Sequence, residues 1–166
     1  FTYTPAPGEE GTVTFNYSIT DGDGDVDIAT VTIRLLPDST PEISTEGRNL
    51  VDEAGLPARG SEPAGSDAAS DSETTSGQIF IDTGNDTIAK LVINGVDVTN
   101  GGTVTTAKGV LTVTLTNGEY SYSYTLSDNT LTDPDSDSFS LTVTDSDGDT
   151  ANTSIVIGIL DDVPAA

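Results

Sequence analysis

Two short stretches carry three aspartates at alternate positions, Asp21-Gly-Asp23-Gly-Asp25 and Asp145-Ser-Asp147-Gly-Asp149. Carboxylates about 4 Å apart repel by roughly 4 kcal/mol at an effective dielectric near ~20, a large share of a domain's stability. Such a loop must splay open or take up a cation. Calcium suits it best, because it accepts about six to eight oxygens with loose geometry, whereas magnesium demands an octahedron and transition metals prefer nitrogen or sulfur ligands. Those softer ligands are missing, since the chain has neither Cys nor His. Turn chemistry alone is the competing explanation, because Asp and Gly are favoured in turns. Three alternate Asp in two matched loops argue for metal instead. An EF-hand is excluded: its loop would place Gly at Val26 or Thr150 and Glu at Thr32 or Val156, between helices.

The elements that must position these loops are strands. Thr12 to Thr20 puts Val13, Phe15, Tyr17 and Ile19 on one face and Thr, Asn and Ser on the other, the alternation of a half-buried strand. The pattern recurs at 30 to 35, 91 to 98, 110 to 116, 119 to 126, 139 to 144 and 154 to 160, and no segment shows a helical period. Asn94-Gly95 and Asn117-Gly118 each divide alternating runs and predict tight hairpins. Short strands linked by turns predict an all-β fold, an antiparallel sandwich. Pro37-Asp38-Ser39-Thr40-Pro41 reads as a linker, because its prolines cannot continue a ladder. Residues 56 to 77, rich in Gly, Ala, Ser, Asp and Pro without periodicity, read as a long mobile loop.

The two acidic loops belong to an internal repeat. Residues 15 to 25 lie on residues 139 to 149 without a gap, at an offset of 139 minus 15, or 124. Both copies run on into a β-branched strand and an acidic, proline-containing exit. We therefore expect residues 1–40 to be the last strands of a preceding sandwich and residues 41–166 to be a complete one, and the chain to be a piece of something longer. A last strand from 151 to 160 spans about 33 Å at roughly 3.3 Å per residue, the length of a domain. Asp161 and Asp162 then sit at the pole opposite the hairpin loop. Asp145, Asp147 and Asp149 are expected to meet linker Asp38 around calcium at the junction, with Asp52 and Glu53 as further ligands if the chain reaches that pole. Asp161 and Asp162 would offer the same to a following module.

Other polar residues are weaker candidates. Asp133, Asp135 and Asp137 read equally well as a solvated loop or as calcium ligands, and Asp82, Asn85 and Asp86 read as a polar turn. Tyr120, Tyr122 and Tyr124 alternate on one face, which suits an inward aromatic face better than a sugar-stacking platform. Asn16, Asn85 and Asn152 open glycosylation sequons of little weight.

Composition sets the outer limits. With 28 acidic residues against 5 basic ones the formal charge is -23, which repels nucleic acid and anionic membranes. The absence of Cys removes disulfides and zinc-thiolate sites, and the absence of His removes the commonest general base. A hydrophobic fraction of 34% makes a lean core, and no apolar run reaches the roughly 18 residues of a membrane span.

Val51-Asp-Glu-Ala-Gly-Leu-Pro57, the run from Phe139 to Thr150, and Ile159-Leu-Asp-Asp-Val-Pro164 together resemble the tandem β-sandwich repeats of type I-secreted, repeats-in-toxin adhesins of Gram-negative bacteria. The resemblance covers about 41 to 166, and residues 1 to 40 are similar to the tail of a neighbouring repeat. It implies an Ig-like or cadherin-like sandwich stiffened by Ca2+, outside the cell in a giant surface adhesin that serves attachment and biofilm formation. The implied partners are neighbouring modules of the same polypeptide, with surface carbohydrate or peptide bound through adjacent domains. The glycine-rich nonapeptide repeats of such proteins are absent. An extender or scaffold module is the leading expectation. A ligand-binding module, using residues 57 to 76 or the tyrosine face, is the first alternative. A glycosidase built on paired carboxylates is the second, disfavoured without His, Cys or Trp.

Overall fold

The structure, a computed structural model, describes residues 1–130, 132 and 134–162. Its strands are β1 (Gly11–Thr20), β2 (Val26–Leu35), β3 (Glu42–Gly47), β4 (Leu50–Asp52), β5 (Thr74–Asp82), β6 (Ile88–Ile93), β7 (Val96–Asp97), β8 (Gly102–Thr105), β9 (Gly109–Thr116), β10 (Glu119–Leu126), β11 (Asp135–Asp145) and β12 (Thr150–Leu160). A single 3-10 turn, Glu53–Gly55, follows β4. β1 and β2 form a two-stranded sheet of their own. The other ten strands make two five-stranded sheets, in the orders β3-β5-β10-β9-β8 and β4-β12-β11-β6-β7. Every ladder is antiparallel except β4 against β12.

Alternation explains the core. Phe139, Leu141 and Val143 of β11 and Ile155, Ile157 and Ile159 of β12 point inward, opposite Leu111, Val113, Tyr120, Tyr122 and Tyr124. Both Asn-Gly hairpins form: Asn94, Gly95, Asn117 and Gly118 all have positive φ, as a two-residue turn matching the strand twist requires. The tyrosine stripe is core, not a binding platform, and its bulk is taken up by glycine. Gly77 lies opposite both Tyr122 and Gly47 in the ladders, and the Tyr122 ring lies over this bare backbone with its hydroxyl donating to Asn49 Oδ1.

Three expectations are corrected. The sequence before Gly11 is expected to open with a strand at Phe1 to Thr4, but none forms there; Phe1 instead packs edge-on against Phe15, with ring centroids 5.4 Å apart. The segment 56 to 77 is not a loose loop: Thr74–Gly77 opens β5, and the rest is strapped down by Gly65 N–H to Leu56 O, Asp67 N–H to Ala54 O and Asp52 N–H to Ser72 O. Asp135 and Asp137 lie in β11, not in a solvated loop, and both have protein partners. Lys108 reaches Asp135, and Asp137, nearly buried, accepts from Tyr124 Oη and Thr106 Oγ1. Burial beside Asp137 pushes the Tyr124 phenol well above its ordinary range. Asp133 lies outside the described residues.

The β1–β2 hairpin and the β11–β12 hairpin are equivalent in sequence but not in surroundings. Tyr17 and Ile19 are 51% and 62% exposed, whereas Leu141 and Val143, one offset of 124 later, are 1% and 0% exposed. A full facing sheet covers only the second hairpin.

The glycine bed yields a test. A methyl group at Gly77 would sit 2.1 Å from Glu46 O and 2.6 Å from the Tyr122 ring, and overpacking of that kind costs on the order of 2 kcal/mol. Gly77→Ala should lower the urea midpoint accordingly, while Gly22→Ala, with open space around it, should leave it unchanged.

Candidate metal centre

Each Asp-rich hairpin loop closes in the same way. Asp21 N–H donates to Asp25 O and Asp145 N–H to Asp149 O, both at 3.0 Å. Asp21 Oδ1 accepts from Gly24 N and Asp25 N at 3.1 and 2.9 Å, and Asp145 Oδ1 from Gly148 N and Asp149 N at 3.1 and 2.8 Å. The glycine is required because Gly24 and Gly148 have φ of 102° and 110°, a region costly for a side chain. One oxygen of the first Asp thus builds the loop and the other is left over. In both copies the three carboxylates come within 4.8 Å of one another.

Their environments differ. Asp145 continues the inward face of Phe139, Leu141 and Val143, so the alternation that buries the core also buries a carboxylate, which is 1% exposed. Its Oδ2 has no hydrogen-bond partner, nor has the enclosed Oδ1 of Asp147. Desolvation, and then the neighbouring Asp147, hold the Asp145 carboxyl above the usual range. Asp21 sits in solvent, and its bonds with Asp23 and the backbone N–H of Asp25 hold it below that range.

The linker reaches the buried loop. Asp38, Asp86 and Asp147 form a further group with carboxylate oxygens within 4.8 Å, so Asp147 belongs to two trios. Asp86 comes from the β5–β6 turn and was missed as a ligand in the sequence, where it read as part of a polar turn. Its Oδ1 and Oδ2 lie 3.0 Å from Ser146 Oγ and 2.9 Å from Ser39 Oγ, and Asn85 Nδ2 donates to Pro37 O. Gly84, with φ of 60°, lets this turn close on the linker, since a side chain there would meet Ser39 Cβ at 2.7 Å. No sequence signal marks Asp86; its place follows from the fold, where Ile88 stands opposite Asp145 in the β6–β11 ladder, so the turn before it ends beside the loop.

Two expected ligands lie elsewhere. β4 runs parallel to β12 with Asp52 opposite Leu160, which puts Asp52 and Glu53 at the Asp161/Asp162 pole, not at the hairpin pole. Asp52 Oδ1 caps the 3-10 turn through Ala54 N at 2.9 Å. Glu53 is buried and accepts from Thr130 N and Oγ1. Asp162 accepts from Ser66 N and Oγ, and it lines one cleft with Asp161 and Glu53. The arrangement at the hairpin pole offers hard oxygen donors in excess of protein partners, which suits a divalent cation with high and irregular coordination.

Comparison with known proteins adds one match within the chain. A family described as a bacterial Ig domain matches residues 1–34, which hold β1 and nearly all of β2. No curated protein matches the chain. Solved structures similar to it include murine CEACAM1b, at 12% identity and TM-score 0.37 over 90% of this chain and 59% of that one. Another is PcdhgB3 EC1-4, at 16% identity and TM-score 0.38 over 92% of this chain and 32% of that one. The chain thus spans 59% and 32% of the lengths of these two structures.

The orphaned oxygen of Asp145 has a measurable consequence without metal. A carboxyl whose folded-state pKa is raised binds its proton more tightly when folded, so stability falls as pH rises from the ordinary Asp value of about 3.9 through the raised one. Asp145→Asn keeps the loop acceptor and deletes the charge. In EDTA near neutral pH the variant should melt a few degrees above the parent, and the difference should close as pH falls toward about 4. A parent that melts higher than the variant at neutral pH in EDTA would contradict this account of Asp145.

Proposed function

We propose that this chain is a calcium-stiffened structural segment of an extracellular bacterial surface adhesin, in which residues 41–166 are one sandwich module and residues 1–40 close a preceding one. The observation that carries the reading is that Asp147 meets both Asp38 and the buried Asp145, whose Oδ2 has no partner. A carboxylate without a partner inside a protein is costly, and Ca2+ supplies what the protein does not. Among the described residues, no strand joins β1 and β2, and the half-exposed Tyr17 and Ile19 between them need a facing sheet. The bacterial Ig domain match on residues 1–34 supports placing the hairpin in such a sandwich, and supports an extracellular setting. Neighbouring modules of the same polypeptide are the partners this reading requires.

The ligand-binding alternative has lost its tyrosine platform, since Tyr120, Tyr122 and Tyr124 are buried. A glycosidase gains no support, because the carboxylates of the hairpin pole are packed against one another at cation distance. On this reading the exposed trio Asp21, Asp23 and Asp25 is a second, open calcium loop.

The test is thermal melting with EDTA or with millimolar calcium. A site binding only the native state contributes about 2.7 kcal/mol at roughly a hundredfold excess over its Kd, so several sites should raise the midpoint by on the order of 10 °C. Magnesium should substitute poorly, and equal midpoints in EDTA and calcium would refute the reading. Small-angle scattering should show the chain more extended and less variable with calcium than without it.

A further inference from the structure

We infer that the apolar face of β1–β2 is the contact surface for a facing sheet of the same polypeptide, keyed to this hairpin by an apolar side chain opposite Val13; this rests on reading residues 1–40 as the end of a preceding sandwich. The basis is a ladder repeated in full. Phe15 stands opposite Val31 and Phe139 opposite Ile155, and every other pair of β1 and β2 recurs in β11 and β12 at the same offset of 124. The inward residues Phe139, Leu141, Val143, Ile155, Ile157 and Ile159 are all buried, whereas Phe15, Tyr17, Ile19, Val31, Ile33 and Leu35 at the matching positions are not. The first hairpin is built as a core strand pair, and among the described residues no sheet covers it.

The size of this face decides what covers it. Each of its two strands has 10 residues, which gives about 33 Å by ~10 Å at the usual rise and spacing. That is less than half of the roughly 800 Å2 that each partner buries in a stable free complex. A second copy docking its own hairpin is therefore too small a partner. A sheet joined to the hairpin through the chain has no such limit, because tethering raises its effective concentration. The second hairpin shows the frame: β6 lies antiparallel on the outer edge of β11, and β4 parallel on that of β12.

One inward position breaks the chemical match, and it selects the partner. Val13 stands opposite Ile33 where Asp137 stands opposite Ile157. Asp137 is buried and accepts from Tyr124 Oη and Thr106 Oγ1. A valine there would leave Tyr124 Oη in the core without that acceptor, which folded proteins avoid. Tyr17 in place of Leu141 would also overfill a position that is 1% exposed. The sheet β3-β5-β10-β9-β8 thus fits only β11–β12. The sheet that covers β1–β2 has no hydroxyl opposite Val13 and leaves room opposite Tyr17. Keying of this kind keeps similar hairpins of neighbouring modules from exchanging places, a hazard of repeated domains.

Hydroxyl-radical footprinting with mass spectrometry tests this on two proteins, the 166-residue chain and the native polypeptide that includes the sequence preceding it. Tyr17 and Ile19 should be modified several-fold less in the longer protein, down to the level of Leu141 and Val143. There, Val13→Asp should restore their modification and Val13→Leu should not. In the shorter chain Val13→Asp should leave the melting midpoint unchanged, which shows that the sandwich is intact. Protection of Tyr17 that survives Val13→Asp would refute the keying while the reading of a preceding sandwich stands. Tyr17 and Ile19 equally reactive in both proteins would overturn both. Protection in the shorter chain that grows with its own concentration would make a second copy the occupant and overturn the inference.

Discussion

Carboxylate repulsion at the hairpin pole governs the layout of this chain. Five aspartates from the linker, the β5–β6 turn and the β11–β12 loop approach one another in a molecule of net charge -23. At separations of a few ångströms each close pair of carboxylates opposes folding, the more so where water is kept out. Serine hydroxyls and loop N–H groups offset part of this: Ser39 and Ser146 bond Asp86, and Gly148 N and Asp149 N bond Asp145. The oxygens left over, Asp145 Oδ2 and Asp147 Oδ1, are enclosed.

The repeat supplies an internal control on this view. Asp21 and Asp145 occupy equivalent positions in equivalent turns, accept the same backbone N–H groups and precede the same spacing of acids. Their proton affinities are nevertheless displaced in opposite directions. The local sequence fixes the loop conformation, whereas burial decides the sign of the shift, and burial comes from a sheet contributed by residues far away in the chain. A site of this kind is therefore written partly in the motif and partly in the topology around it.

Legibility from sequence follows the same division. Period-two alternation shows β1, β2, β6, β9, β10, β11 and β12, because their side chains divide cleanly between core and solvent, and Asn-Gly marks both tight hairpins. β5 was hidden because Gly77 interrupts its alternation, and that glycine is there to make room for Tyr122, a tertiary reason invisible in a local window. β4 and β8 are too short to show a period, and β3, Glu42–Gly47, carries Ile43 as its one large apolar residue. In the site, the alternate Asp of both loops and the reach of Asp38 could be read from the repeat. Asp86 could not, since its role depends on the β6–β11 register. The pole of Asp52 and Glu53 stayed open in the sequence, where Glu46-Gly47 could turn the chain; the chain crosses between the sheets at Arg48 and Asn49 and then pairs parallel to β12, which sends them to the far pole.

The offset of 124 that matches the two hairpins also matches Asp38 with Asp162. Asp38 leaves β2 and meets the acids of the hairpin pole; Asp162 leaves β12 at the far pole, where Ser66 N–H and Oγ hold its carboxylate. Acidic groups therefore gather at both poles: Asp38, Asp86, Asp145, Asp147 and Asp149 at the hairpin end, and Asp52, Glu53, Asp161 and Asp162 at the other. Two negative ends do not attract each other directly, and a divalent cation between them reverses the sign of the contact. On the calcium reading, the charge that keeps this surface from binding anionic partners also makes the joint conditional: units couple firmly where calcium is plentiful and separate where it is scarce. A hydrophobic joint of equal strength would lack that dependence, because apolar burial responds little to the concentration of any one ion.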